Sequence, residues 1–149
     1  MRNTLILIAA GGSVLLLAGA FVFQFFGYLP CEMCLWQRWP HAAAALIGVL
    51  ALTVPHRIWP WLGAVAAAIT SGIGFFHAGV EKGWWPGPTS CTGGGGGGLA
   101  GDLLSTEGPR LIMCDQVSWE LLTISMAGWN ALLSAALVLI WIAAARART

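Results

Sequence analysis

The amino-acid sequence predicts an all-α integral membrane protein, a four-helix transmembrane bundle whose cysteines sit on loops at one face. Three observations carry this. Hydrophobic residues make up 58% of the chain and charged residues 9%, which leaves too little polar surface to clothe a soluble core. Four apolar stretches are spaced along the 149 residues. The few charges, finally, segregate to opposite ends of the helices those stretches would form. This length gives a single transmembrane domain, residues 1–149, with no visible repeat.

The first stretch, residues 5–26, carries no charge and exceeds the roughly 20 residues a helix needs to cross a hydrocarbon core. Met1-Arg2-Asn3, the apolar run and Ala18-Gly19-Ala20 imitate a secretory signal. Phe21, Val22, Phe23, Phe25 and Phe26 carry the hydrophobicity past the small residues, so retention as an anchor is expected instead. The strictly apolar part of the second stretch, 42–54, is too short to span alone. Borrowing turns from its N-terminal side starts this helix near Leu35, as 35–54, and puts Cys34 and Arg38 at the membrane boundary. Pro40 then predicts a bent or interrupted first turn. The third span is read as 59–77 and the fourth, free of charge, as 121–145. Outer loops are left at 27–34 and 80–118.

Topology follows from charge. Putting both termini and the turn at Pro55-His56-Arg57 on one side gathers Arg2, Arg57, Arg146 and Arg148 there, which makes that side cytoplasmic. The other side receives all six acids, with only Arg38, Lys82 and Arg110 as bases. All four cysteines then face outward, in a bacterial cell into the oxidising periplasm, and the membrane is the inner one. Trp36, Trp39, Trp84, Trp85 and Trp119 fall at the outer interface, and Trp59, Trp61 and Trp141 nearer the inner one, as belt residues. A net charge of +1 gives no reason to expect a nucleic-acid partner.

The outer loop 80–118 is long for a connection, which marks it as functional. It opens on Gly83-Trp84-Trp85-Pro86-Gly87-Pro88, reaches Cys91 and continues into six glycines at 93–98, a tract that favours no single backbone conformation. We expect that tract to let Cys91 and Cys114 separate and approach the other cysteines. Leu99, Leu103, Leu104, Leu111 and Ile112 would lay part of the loop on the bilayer. Three readings of the cysteines compete: structural staples, a four-thiolate zinc site and a redox pair of pairs. Zinc fits least, because only Cys31 and Cys34 are closely spaced, and no metal is expected. A staple suits Cys91 and Cys114 but not Cys31 and Cys34, whose small ring restrains an unfolded chain weakly. Their C-x-x-C spacing favours instead a reactive, low-pKa thiolate. Arg38, one helical turn beyond Cys34, and the helix N-terminus both favour that thiolate.

Pro30-Cys31-Glu32-Met33-Cys34-Leu35-Trp36-Gln37-Arg38 ahead of an apolar helix resembles the quinone-coupled active site of the DsbB family of membrane thiol oxidoreductases. The resemblance extends through Phe76-His77, the loop with Cys91 and Cys114, and Cys114-Asp115 leading past Trp119 to Met126-Ala127-Gly128-Trp129, so it covers nearly the whole chain. It implies a disulfide-generating relay in which a reduced periplasmic carrier of DsbA type, with a thioredoxin fold, attacks a Cys91–Cys114 disulfide and forms a transient bond with Cys91. Electrons would pass to a Cys31–Cys34 disulfide, and Cys34 would deliver them to a quinone, ubiquinone or menaquinone, held by Arg38 and His77. The implied catalytic residues are therefore Cys31, Cys34, Cys91 and Cys114, while Trp119 and Trp129 are given packing or belt roles. Two rivals remain. A quinone reductase similar to vitamin K epoxide reductase would place the loop pair before the C-x-x-C, the reverse of this order, and a non-catalytic scaffold would hold two inert disulfides.

Overall fold

The computed structural model describes residues 1–92 and 113–147, and the expectations for the glycine tract and the bilayer-lying leucines fall outside them. Four helices are described: α1 Arg2–Phe25, α2 Glu32–Thr53, α3 Ile58–Glu81 and α4 Met126–Arg146. They pack in a ring, α1 against α2 and α4, and α3 against the same two. Apolar composition drives the helices into a low-dielectric setting where main-chain bonds must close internally, and each helix does this along its length.

Three helices, α1, α3 and α4, are long and apolar enough to cross a membrane. α2 has the length, at 22 residues, but Gln37, Arg38, Pro40 and His41 in its first half lower its hydropathy, so the expectation of four such helices is met by three. α2 also begins earlier than expected and runs through Pro40 without interruption. Cys31 is the reason for the early start: its sulfur accepts from the Cys34 amide at 3.1 Å and caps the first turn. Pro40 costs the helix only its own amide bond and leaves the following turns intact.

α1 ends where Gly27 takes a positive φ of 95°, with Gly27 N donating to Gln24 O and Tyr28 N to Phe23 O. α4 starts later than the apolar stretch at 121–145 suggested. Leu122 and Thr123 adopt positive φ, 54° and 65°, and fold 120–125 into a hairpin of β1 Glu120–Leu121 and β2 Ile124–Ser125. Ser125 Oγ then caps α4 by accepting from Gly128 N at 3.2 Å.

At one end of the bundle, a core of Ile6, Ala9, Ala51, Ala67 and Ala144 surrounds a fully buried Trp141. Small residues let the helices approach: a Cβ at Gly63 would meet the Trp141 ring at 2.6 Å. Arg2 closes this end by donating to the His56 carbonyl at 3.0 Å, which puts the N-terminus beside the α2–α3 turn. The opposite end carries the cysteines. There Trp85, stacked on Phe76 and donating to its carbonyl at 2.8 Å, ties the chain after α3 back onto that helix.

Candidate active site

All four sulfurs converge at one end of the bundle. Cys31 stands on the helix cap of α2, and Cys34 follows one turn on, with the two sulfurs 2.6 Å apart and not joined. Cys91 and Cys114 form a disulfide whose Cα atoms are 5.2 Å apart. Cys31, Met33, Cys91 and Cys114 bury one another, with Cys34 packed at the edge of the group. The bond between Cys91 and Cys114 ties up two of the four sulfurs.

The two sulfurs of the inner pair sit in different surroundings. Cys31 is buried, and its contact with Cys34, then burial, push its thiol far above the usual range, outweighing the Cys34 amide that donates to its sulfur. Cys34, one turn into α2, is half-buried.

His77, from the last turns of α3, reaches this group. Its Nε2 lies 3.5 Å from the Cys31 sulfur and 3.7 Å from Glu81 Oε1, and the ring also bonds the Cys114 main chain. Its Nδ1 meets Gln37 Nε2 at 3.1 Å. Behind Gln37 lie Asn130 of α4, Thr70 of α3 and His41 of α2, in a buried polar network linking three helices. Cys31, Cys34 and His77 bring three potential metal-ligating atoms within 4.8 Å of one another.

Arg38 stands one turn beyond Cys34 on α2 and lines the same cavity, but its charged end does not stay at the sulfur. Its guanidinium turns to α1, donates to Gln24 Oε1 at 2.8 Å and lies 4.7 Å from the centre of the Phe21 ring, because the long side chain finds there both an acceptor and an aromatic face. Its Nε is buried with no partner among the described residues. Arg38, Cys34, His77, Gln37, His41 and Asn130 line one cavity of about 360 Å³. Its remaining wall is mostly apolar, from Leu15, Leu16 and Phe23 of α1 and Trp129 and Leu133 of α4. Trp119 packs edge-on to Phe23 at 5.1 Å, and Trp129 donates to Leu121 O at 3.1 Å, and both line this wall.

Gln37, His41, Thr70, Glu81 and Asn130 were not among the residues expected from sequence. A signal existed: Met33, Gln37 and His41 are spaced by four on α2, and amides and imidazoles in an apolar span are costly unless they meet one another.

A family model described as disulfide bond formation protein DsbB matches residues 2–144. Among curated proteins, the chain is 33% identical over 151 residues to a disulfide bond formation protein B of Verminephrobacter eiseniae (strain EF01-2), covering 95% of this chain and 84% of that protein. It is 28% identical over 136 residues to a protein of the same name from Acidovorax sp. (strain JS42), covering 87% and 78%. No solved structure matches it.

Proposed function

The chain belongs to the DsbB family of disulfide bond formation proteins, and from this premise we propose that it reoxidises a periplasmic thioredoxin-fold carrier and passes the electrons to a membrane quinone. It is a multi-pass membrane oxidoreductase that forms disulfides. The observation carrying the finer reading is the convergence of four sulfurs, one pair bonded and one pair in contact, against an apolar cavity that also holds Arg38 and His77.

The outer disulfide receives electrons first. A carrier thiolate attacks Cys91, the Cys91–Cys114 bond breaks, and the electron pair leaves on Cys114. A second carrier thiolate attacks the carrier sulfur of that mixed bond, so the carrier departs as a disulfide and Cys91 and Cys114 are left as a dithiol. Exchange with the inner disulfide restores the outer one and leaves Cys31 and Cys34 reduced, with Cys34 the sulfur that lines the cavity beside Arg38. The site fits a quinone: the apolar walls suit a ring, and Arg38 lines the cavity as a cation where negative charge would develop. Arg38, His77 and Cys34 would hold it. When bound, a quinone, ubiquinone or menaquinone, supplies a two-electron acceptor matched to one dithiol.

α2 serves as the fourth span. Its polar Gln37 and His41 are buried within the bundle, while Trp39, Leu46 and Val49 are exposed on its outside. The cysteine end faces the periplasm and both termini the cytoplasm, supported by Arg2, Arg57 and Arg146 at the end opposite the cysteines.

The test adds reduced thioredoxin-fold carrier with a ubiquinone or a menaquinone analogue to purified protein and follows quinone absorbance and carrier thiols together. We expect equal loss of dithiol and quinone, abolished by Cys34→Ser and strongly slowed by Arg38→Met. No quinone reduction with either analogue, in a folded and oxidised protein, would return the site to the structural-disulfide reading.

A further inference from the structure

The directions of the hydrogen bonds around His77 are fixed by two main-chain oxygens. Gln37 Nε2 lies 3.2 Å from the Met33 carbonyl, which can only accept, so the amide nitrogen faces that side and Oε1 faces Asn130. Asn130 therefore turns its Nδ2 to Gln37 Oε1 at 2.7 Å and to Thr70 Oγ1 at 3.1 Å, whose own proton goes to the Gln37 carbonyl at 3.1 Å. Asn130 Oδ1 then accepts from His41 Nε2 at 2.9 Å and Ser134 Oγ at 3.4 Å. Because Gln37 Nε2 is a donor, His77 Nδ1, 3.1 Å away, accepts. The neutral ring thus carries its proton on Nε2, the nitrogen that faces the Cys31 sulfur at 3.5 Å, Glu81 Oε1 at 3.7 Å and the Cys114 main chain, so its proton lies among the groups that exchange. A protonated Nε2 has no lone pair for a metal, so the cluster of Cys31, Cys34 and His77 presents a donor instead of a third ligand.

We propose that Gln37, held by Asn130, is a positioning residue that locks His77 in the Nε2–H tautomer, so that the ring donates to Cys31 when that sulfur leaves during exchange between the two cysteine pairs. This rests on the relay described above. Cys31 is the inner sulfur packed with Cys91 and Cys114, which makes it the one the outer pair engages. In the mixed disulfide of Cys114 with Cys31, the Cys91 thiolate attacks Cys114. The Cys91–Cys114 bond forms, the Cys114–Cys31 bond breaks, and the electron pair leaves on the Cys31 sulfur. The outer pair is oxidised by two electrons, and the inner pair has gained them. His77 Nε2–H stabilises the departing Cys31 thiolate without giving up its proton, and Gln37 keeps the ring from presenting a lone pair there, which would repel it.

The tautomer is readable directly. Nitrogen NMR of ¹⁵N-histidine-labelled protein in detergent separates protonated from bare ring nitrogens, and His77→Asn assigns the signal among three histidines. We expect His77 as Nε2–H in the wild type. A shift towards Nδ1–H is expected in Gln37→Glu, whose carboxylate accepts, and a mixture in Gln37→Leu. Acid-quenched alkylation, with no quinone added, should show exchange between the pairs slowed roughly tenfold to a hundredfold in both variants, the range for a lost hydrogen bond to a charged group. A wild-type ring protonated on Nδ1, or an unchanged exchange rate in a folded Gln37→Leu protein, overturns the proposal. If the wild type shows the Nε2–H ring and fast exchange but reduces no quinone, the fault lies with the quinone reading and not with this one.

Discussion

Replacing Asn130 by leucine tests how much the polar network contributes to holding the helices together. The two side chains have similar size, so the change removes hydrogen bonds with little change in volume. Asn130 joins Gln37 on α2, Thr70 on α3 and His41 on α2, three bonds between helices. At the roughly 0.6 kcal/mol measured for an average interhelical side-chain bond in a membrane protein, these sum to about 2 kcal/mol. Gln37 Oε1 is also left without its partner in a buried site, while His41 Nε2 keeps only Ser134 Oγ at 3.5 Å, which carries the total to about 3–4 kcal/mol. Ser71→Ala provides the scale: it removes one interhelical bond, Ser71 Oγ to Ala131 O at 2.9 Å, and should cost only about 0.6 kcal/mol. Reversible unfolding in mixed micelles, followed by circular dichroism, gives both values under one condition. Equal costs for the two variants would refute the reasoning, because they would mean that the network contributes no more than an isolated bond.

Two further outcomes are expected. In the reduced protein, Cys31 is buried and its thiol is pushed up, whereas Cys34 is half-buried and lines the cavity, so Cys34 is the sulfur a reagent reaches first. Pulse alkylation with peptide mass analysis should label Cys34 before Cys31, and equal rates would contradict this difference. Gly63→Leu forces a side chain into the Trp141 ring and should cost about 1–3 kcal/mol. Gly72→Ala, where nothing lies within 4 Å, should leave the unfolding midpoint in place, and similar losses at both sites would show that close approach at Gly63 is not what matters.

The sequence made the cysteine end of the molecule readable because C-x-x-C, a long loop and a charge imbalance are local or additive properties. Helix ends were harder to read. Residues 121–125 are apolar enough to continue α4, yet Leu122 and Thr123 turn with positive φ, and hydropathy does not register the hand of the backbone. α2 starts at Glu32 because a cysteine sulfur serves as its cap, a role that composition does not reveal. Arg38 was placed by helix spacing next to Cys34, but its reach is several ångströms beyond its Cα, and the acceptor that captures it, Gln24, lies 14 residues away on another helix. The network around Asn130 depends on contacts 60 and 93 residues apart, which only the packed bundle creates.

The shelter around the Cys91–Cys114 bond has a consequence for the traffic of electrons. The two residues are 4% and 0% exposed, so a thiolate arriving from solution has no straight line of approach along the sulfur–sulfur axis. Small thiols meet the bond only as often as the surrounding chain opens by itself, whereas a protein that grips the outer surface can draw that chain aside as it binds. Under the proposed relay, burial would act as a filter on who is served: it would admit a shape-matched protein and keep the common pool of soluble reductants from short-circuiting the wire.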